Sequence, residues 1–302
     1  MKKFVCLCLV FLLLIFFILF PQNALSASKQ GLTLWFEQIL PTLLPFSVLS
    51  YVVLRSNLFA GTSTRKHRKI SNEEWYIILC GFLFGFPIGS KLTADLYREG
   101  RIPRKRAQYL CVFTNNLSPV FVVSVLHEIL HLQVKLSFYL LLYGIPFLYG
   151  LVLLLRIASS EPHKQKNTAS RFQITMQIVD AGIINGFETL IKVCGYIMMF
   201  SILTQMLLSV PWNHTIMPVL LSGCLEVTTG VATLGQSDIT GSCKYILALF
   251  MLSFNGISGL CQTASILSQT NLSMRSYCKH KLIIVLLVLT GGIGLLFFRR
   301  LC

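Results

Sequence analysis

In this chain of 302 residues 54% are hydrophobic and only 12% are Asp, Glu, Lys or Arg; that is about half the roughly 25% charged share of soluble domains, and it excludes a water-soluble globule. A mean hydropathy of +0.70 and continuous apolar runs near the roughly 20 residues that cross a hydrocarbon core predict an all-α polytopic membrane protein; runs that do not alternate exclude a β-barrel. The excess of 26 basic over 11 acidic residues fits cytoplasmic loops that collect Lys and Arg, not a nucleic-acid partner.

In chain order, apolar segments are expected at about 4–20, 32–54, 75–90, 107–126, 136–156, 180–209, 215–234, 244–267 and 281–298. The first follows Met1-Lys2-Lys3 and reads as a signal anchor within residues 1–31, although Ala24-Leu25-Ser26-Ala27 also resembles a signal-peptidase site. Segments 75–90 and 215–234 are short or broken by Gly, Pro and Thr and are read as two re-entrant hairpins. On that topology most basic residues, from Lys2 and Lys3 through Arg55, Lys91 to Arg106, Lys279 and Lys281, fall in inner loops. Lys192 lies within a span, and Arg299 and Arg300 fall awkwardly outside. The series also repeats with every direction reversed: residues 32–158 form a first transmembrane half, 159–171 a polar linker with Pro162, and 172–302 a second, inverted half. Such inverted repeats are typical of secondary transporters.

Three strings carry candidate chemistry. In Gly85-Phe86-Pro87-Ile88-Gly89-Ser90-Lys91, two glycines and a proline cannot continue a regular helix, so the backbone opens and its free amides, with Ser90 and Lys91, form a positive mouth. The bland alternative is a turn with Lys91 snorkelling to the surface. In the other half, Glu226 stands in an apolar run beside Thr228, Thr229 and Gly230. A carboxylate there faces a cavity or a partner; it is read either as a proton carrier or as packing paired with Lys192. Third, Asn115, Asn116, Ser118 and Pro119 match Asn255, Gly256, Ser258 and Gly259, each set placing Asn and Ser on one helical face before a helix breaker, with Gln262 one turn further on. These side chains suit an oxygen-rich or heteroaromatic solute, or they simply hold helices together. None of the ten cysteines forms a C-x-x-C pair, and His127 and His131 share a helical face with only Glu128 beside them; no metal, cofactor or catalytic residue is expected.

Leu40-Pro41-Thr42-Leu43-Leu44-Pro45-Phe46, the string from Gly85 to Lys91, Asn115 to Pro119, Leu225 to Gly230 and Ser253 to Ser258 together resemble the YlbJ-type sporulation integral membrane proteins, within the wider nucleoside-recognition or Gate-domain group. The resemblance runs from about residue 32 to 281 in the same order, departing at Ser90, where Ala is expected in many relatives. It implies a protein of the outer forespore membrane of a spore-forming bacterium that moves dipicolinic acid, with a fold similar to concentrative nucleoside transporters. It transfers no ligand set, so the site residues rest on the reading above.

The expectation is therefore a secondary or facilitative transporter of a small anionic solute, with the lipid bilayer as its other partner and self-association as a homo-oligomer left open. Candidate binding residues are Gly85, Pro87, Gly89, Ser90, Lys91, Asn115, Asn116, Ser118, Lys192, Glu226, Thr228, Thr229, Asn255, Ser258 and Gln262. The alternatives are a nucleoside-type transporter, a structural protein of the spore envelope and, least favoured, a membrane-embedded enzyme.

Overall fold

The computed structural model describes residues 2–56, 58, 70–132, 135–158 and 173–301, and these form helices and turns with no strand. The stretches 59–69 and 159–171, where the inner loop and the linker are expected, lie outside the described residues. Among the described residues, five helical stretches are long and apolar enough to cross a membrane: Pro21–Arg55, Leu136–Ile157, Met176–Leu208, Gly241–Leu267 and Met274–Phe298.

After α1 (Lys2–Leu19), one order of elements occurs twice. First comes a long helix, made of α2 (Pro21–Leu34), a π turn (Trp35–Ile39) and α3 (Leu40–Arg55). A hairpin of α4 (Asn72–Leu83) and α5 (Ile88–Arg98) follows. Next is a broken helix, α6 (Arg104–Phe113) and α7 (Pro119–Ser124) with a π turn at Val125–Ile129. The first half closes with α8 (Leu136–Tyr139), a π turn (Leu140–Gly144) and α9 (Ile145–Ala158). The second half gives the long helix α10 (Met176–Leu208), the hairpin α11 (Ile216–Leu225) and α12 (Val227–Gln236), the broken helix α13 (Gly241–Phe254) and α14 (Gly256–Leu267), and the long α15 (Met274–Leu301).

Local chemistry sets these boundaries. Ser71 and Glu74 form a reciprocal capping box that starts α4. Ser118 accepts from the Phe121 amide ahead of Pro119, a proline placed where its missing N–H costs nothing. Asn255 ends α13 in the left-handed conformation at φ +69°. Two π turns lie just before Pro41 and Pro146: each proline leaves the carbonyl four residues earlier without its donor, and the preceding turn widens.

The long helices of the two halves pack antiparallel. A Cβ on Gly31 would meet Ser201, one on Gly186 would meet Leu44, and one on Gly182 would meet Tyr51, so residue numbers rise on α2 and α3 as they fall on α10. Ala24 and Ala27 join this contact, buried beside Ile202, while Leu25 and Ser26 between them are exposed; α2 runs without interruption across the boundary drawn at residue 31.

Charges tie the open end of the first hairpin. Arg55 at the end of α3 reaches Glu99 at 2.8 Å, Arg101 reaches Glu73 at 2.6 Å, and the Arg106 guanidinium grips both oxygens of Glu74. The second hairpin has its open end where Gly235 approaches the Ile129 carbonyl, beyond the far end of the broken helix that starts at Arg104. The two hairpins therefore open toward opposite ends of the bundle.

Several expectations need correction. The first hairpin spans 72–98 rather than 75–90, because α5 continues for eleven residues past the turn; Lys91 sits on its arm, not in a loop. Arg106 and Lys281, assigned to inner loops, are 1% and 2% exposed within helices.

Candidate functional site: a charged cavity and two hairpin tips

Each hairpin tip rests on the helix break of its own half. At Gly85 (φ +78°) the chain turns in a conformation that L side chains rarely adopt, and a Cβ there would lie 2.4 Å from the Ser118 amide. The Phe86 amide donates to the Asn116 carbonyl, and Gly89 lets α5 close on Thr114. In the second half the Leu225-Glu226 tip lies against Gly256. Glu226, 2% exposed, caps α12: one of its oxygens accepts from the Thr229 amide and hydroxyl, both at 2.7 Å, and from the Thr228 hydroxyl. The pairing of Glu226 with Lys192 does not form; Lys192 pairs instead with Glu188 at 2.7 Å, one turn away on a half-exposed face of α10.

A cavity of about 160 Å³ opens between α5, α10 and α14, lined by Pro87, Lys91, Asp95, Arg98, Asn185, Glu188, Thr189, Lys192 and Gln262 among others. On that measure there is room for on the order of ten waters or a small organic anion. Arg98 pairs with Asp95 at 2.9 Å and Lys192 with Glu188. Lys91 makes no ion pair among the described residues; its ammonium crosses from the first half to the second and donates to the Asn185 carbonyl at 3.1 Å, the Asn185 side-chain oxygen and the Thr189 hydroxyl. A second, more apolar pocket of about 50 Å³ lies between the two tips, walled by Phe86, Leu117, Ser118, Val227 and Thr228; Gln262 and Val193 line both pockets and mark where they adjoin.

The expected residues thus divide into groups. Pro87, Lys91, Lys192 and Gln262 face the charged cavity, while Ser118, Thr228 and Gln262 face the tip pocket. Ser90 turns inward and donates to the Pro87 carbonyl at 2.9 Å. Gln262 donates to Ser258 at 3.1 Å, and Asn116 donates to the Phe113 carbonyl at 2.6 Å. Asn115 and Asn255 meet at the breaks, where the Asn255 amide donates to the Asn115 carbonyl at 3.3 Å. The Asn115 amide donates to Thr263 and Tyr277 at 2.9 and 2.8 Å, so in this conformation both amides serve protein groups.

Sequence reasoning missed Asn185, Glu188 and Thr189, which with Lys192 form a polar stripe at helical spacing on an apolar helix, and Asp95 and Arg98, which continue the stripe from Lys91. That periodicity was the available signal. Lys281 was hidden by its neighbour Lys279, which made both read as loop charges.

No group of three or more His, Cys, Asp or Glu suited to a metal ion occurs among the described residues. No family model matches the chain, and no solved structure matches it. Among curated proteins, the sporulation integral membrane protein YlbJ of Bacillus subtilis (strain 168) is 26% identical over an alignment covering 85% of this chain and 74% of the relative. By its apolar helices and this likeness, the chain is a polytopic integral membrane protein similar to the YlbJ-type sporulation membrane proteins.

Proposed function

We propose that this chain is a secondary or facilitative transporter of a small anionic solute, acting in sporulation, with dipicolinic acid as the first substrate to test and the outer forespore membrane as its site of action. The observation that carries the reading is Lys91: an ammonium without an ion pair among the described residues, set in the wall of a cavity made by both halves. A solute carboxylate is a stronger acceptor than the neutral oxygens of Asn185 and Thr189. Binding therefore draws Lys91 off α10 and loosens the bond between the halves. Antiparallel long helices and hairpins that open toward opposite ends support an inverted repeat with re-entrant hairpins, the architecture that exposes one central site to each side in turn. The aromatic and apolar walls of the tip pocket suit a flat ring, and the charged cavity suits its carboxylates.

Uptake by liposomes containing the purified protein is the test, with dipicolinate, then nucleosides, against empty vesicles. Saturable dipicolinate uptake supports the reading. Uptake of nucleosides alone replaces the solute, and uptake equal to empty vesicles in both assays assigns the chain a structural role in the spore envelope.

A further inference from the structure

The charged side chains that line the cavity are Lys91, Arg98 and Lys192 against Asp95 and Glu188, three cations against two carboxylates, which leaves one positive charge. The pairing shows where that charge sits. Asp95 holds Arg98 at 2.9 Å and Glu188 holds Lys192 at 2.7 Å, so each carboxylate is already met by a cation. Lys91 is held by oxygens without net charge, those of Asn185 and Thr189. Tyr196, Gln262, Ser265 and Gln269 complete the polar lining and add no charge. One carboxylate against Lys91 therefore brings the cavity to neutrality. A second finds no free cation: it must displace Asp95 from Arg98 or Glu188 from Lys192, or else stand uncompensated near two carboxylates in surroundings less polarisable than water, and either course is costly.

We infer that the cavity selects a singly charged anion, and that a dicarboxylic acid occupies it as the hydrogen anion, with one proton kept on its second carboxyl group. Asp95 and Glu188 set this selectivity by holding two of the three cations away from the solute. The inference deepens the transport reading and rests on it: each dicarboxylate moved takes one proton along, bound to the solute itself.

Calorimetric titration of the purified full-length protein in detergent at neutral pH compares dipicolinate with its monoamide, 6-carbamoylpyridine-2-carboxylate, which has the same outline and one negative charge fewer. Wild type is expected to bind the monoamide roughly tenfold more tightly. Asp95→Asn frees Arg98 and adds one positive charge to the cavity, so the ratio of the two affinities should move roughly tenfold toward dipicolinate. Glu188→Gln frees Lys192 from a more exposed pair and should move the ratio the same way by about twofold; it serves if Asp95→Asn does not fold. Tighter binding of dipicolinate by wild type, or one ratio shared by wild type and both variants, overturns the inference and leaves the transport reading standing. Binding of neither compound by wild type overturns the anion site, and the transport reading falls with it.

Discussion

Lys91 and Lys192 face the same cavity, but their surroundings differ. Lys192 is half-exposed and pairs with Glu188 one turn away, a contact worth about 0.3–0.5 kcal/mol. Lys91 is held by three oxygens of α10 and carries the charge without an ion pair among the described residues. Lys91→Met is therefore expected to raise the half-saturation of dipicolinate uptake roughly ten- to 150-fold, the loss of a charged hydrogen bond worth about 1.5–3 kcal/mol, whereas Lys192→Met should change it by only about twofold. Titrating uptake rate against substrate for both variants at matched membrane abundance checks the difference. Glu226 is a cap as well as a buried acid. Glu226→Ala should cost about 0.5–2 kcal/mol of stability, measured by thermal unfolding, while Glu226→Gln keeps an acceptor and should recover most of it. If Glu226 also carries a proton, Glu226→Gln flattens the pH dependence of uptake; identical pH profiles of the two proteins would limit it to capping. Glu226 was legible as a candidate because an acid in an apolar run is unusual, but its hydroxyl and amide partners come from a turn whose geometry the residue string does not display.

At the scale of elements, the hairpins depend on close approach and on charge at their open ends. A Cβ on Gly89 would stand 2.2 Å from the Thr114 carbonyl oxygen, whereas one on Gly195 in α10 would meet nothing within 4 Å. Gly89→Ala should thus destabilise the protein by about 1–3 kcal/mol through overpacking, and Gly195→Ala should leave it unchanged or up to about 1 kcal/mol more stable through helix propensity; denaturation midpoints in detergent distinguish them. The buried Arg106–Glu74 pair joins α6 to α4, with both side chains at or below 1% exposure. Glu74→Gln removes the carboxylate charge that the Arg106 guanidinium grips and should destabilise the protein, while the combined replacement Glu74→Gln with Arg106→Met should recover part of that loss. A fall in stability for the double variant as large as the sum of the singles would deny the coupling. The hairpins were visible in the sequence as runs interrupted by Gly, Pro and Thr, but their lengths were not. The charges of α5 disguised a helix as a loop, because a buried polar arm and a solvated loop have the same composition.

For the whole molecule, the topological reading makes a prediction that needs no substrate. Single cysteines at Thr62 and Asn167, in a cysteine-free background, should both label from the cytoplasmic side; labelling from opposite faces of the membrane would defeat the inverted arrangement. The sequence by itself determined that the chain lives in a membrane, that it is helical, and where its backbone must break, because apolar run length and the missing hydrogen bonds of Pro and Gly act locally and do not depend on what packs nearby. It also marked Asn115 and Asn255 as counterparts. Only the tertiary structure decided what those breaks face. Asn115 turns its amide to Thr263 and Tyr277, Lys91 reaches across to Asn185 and Thr189, and Lys281 leaves the loop charges to settle on the Asn115 carbonyl. Each of these contacts joins residues about ninety or more positions apart, and which side chain meets which depends on the packing of helices from both halves rather than on either string alone.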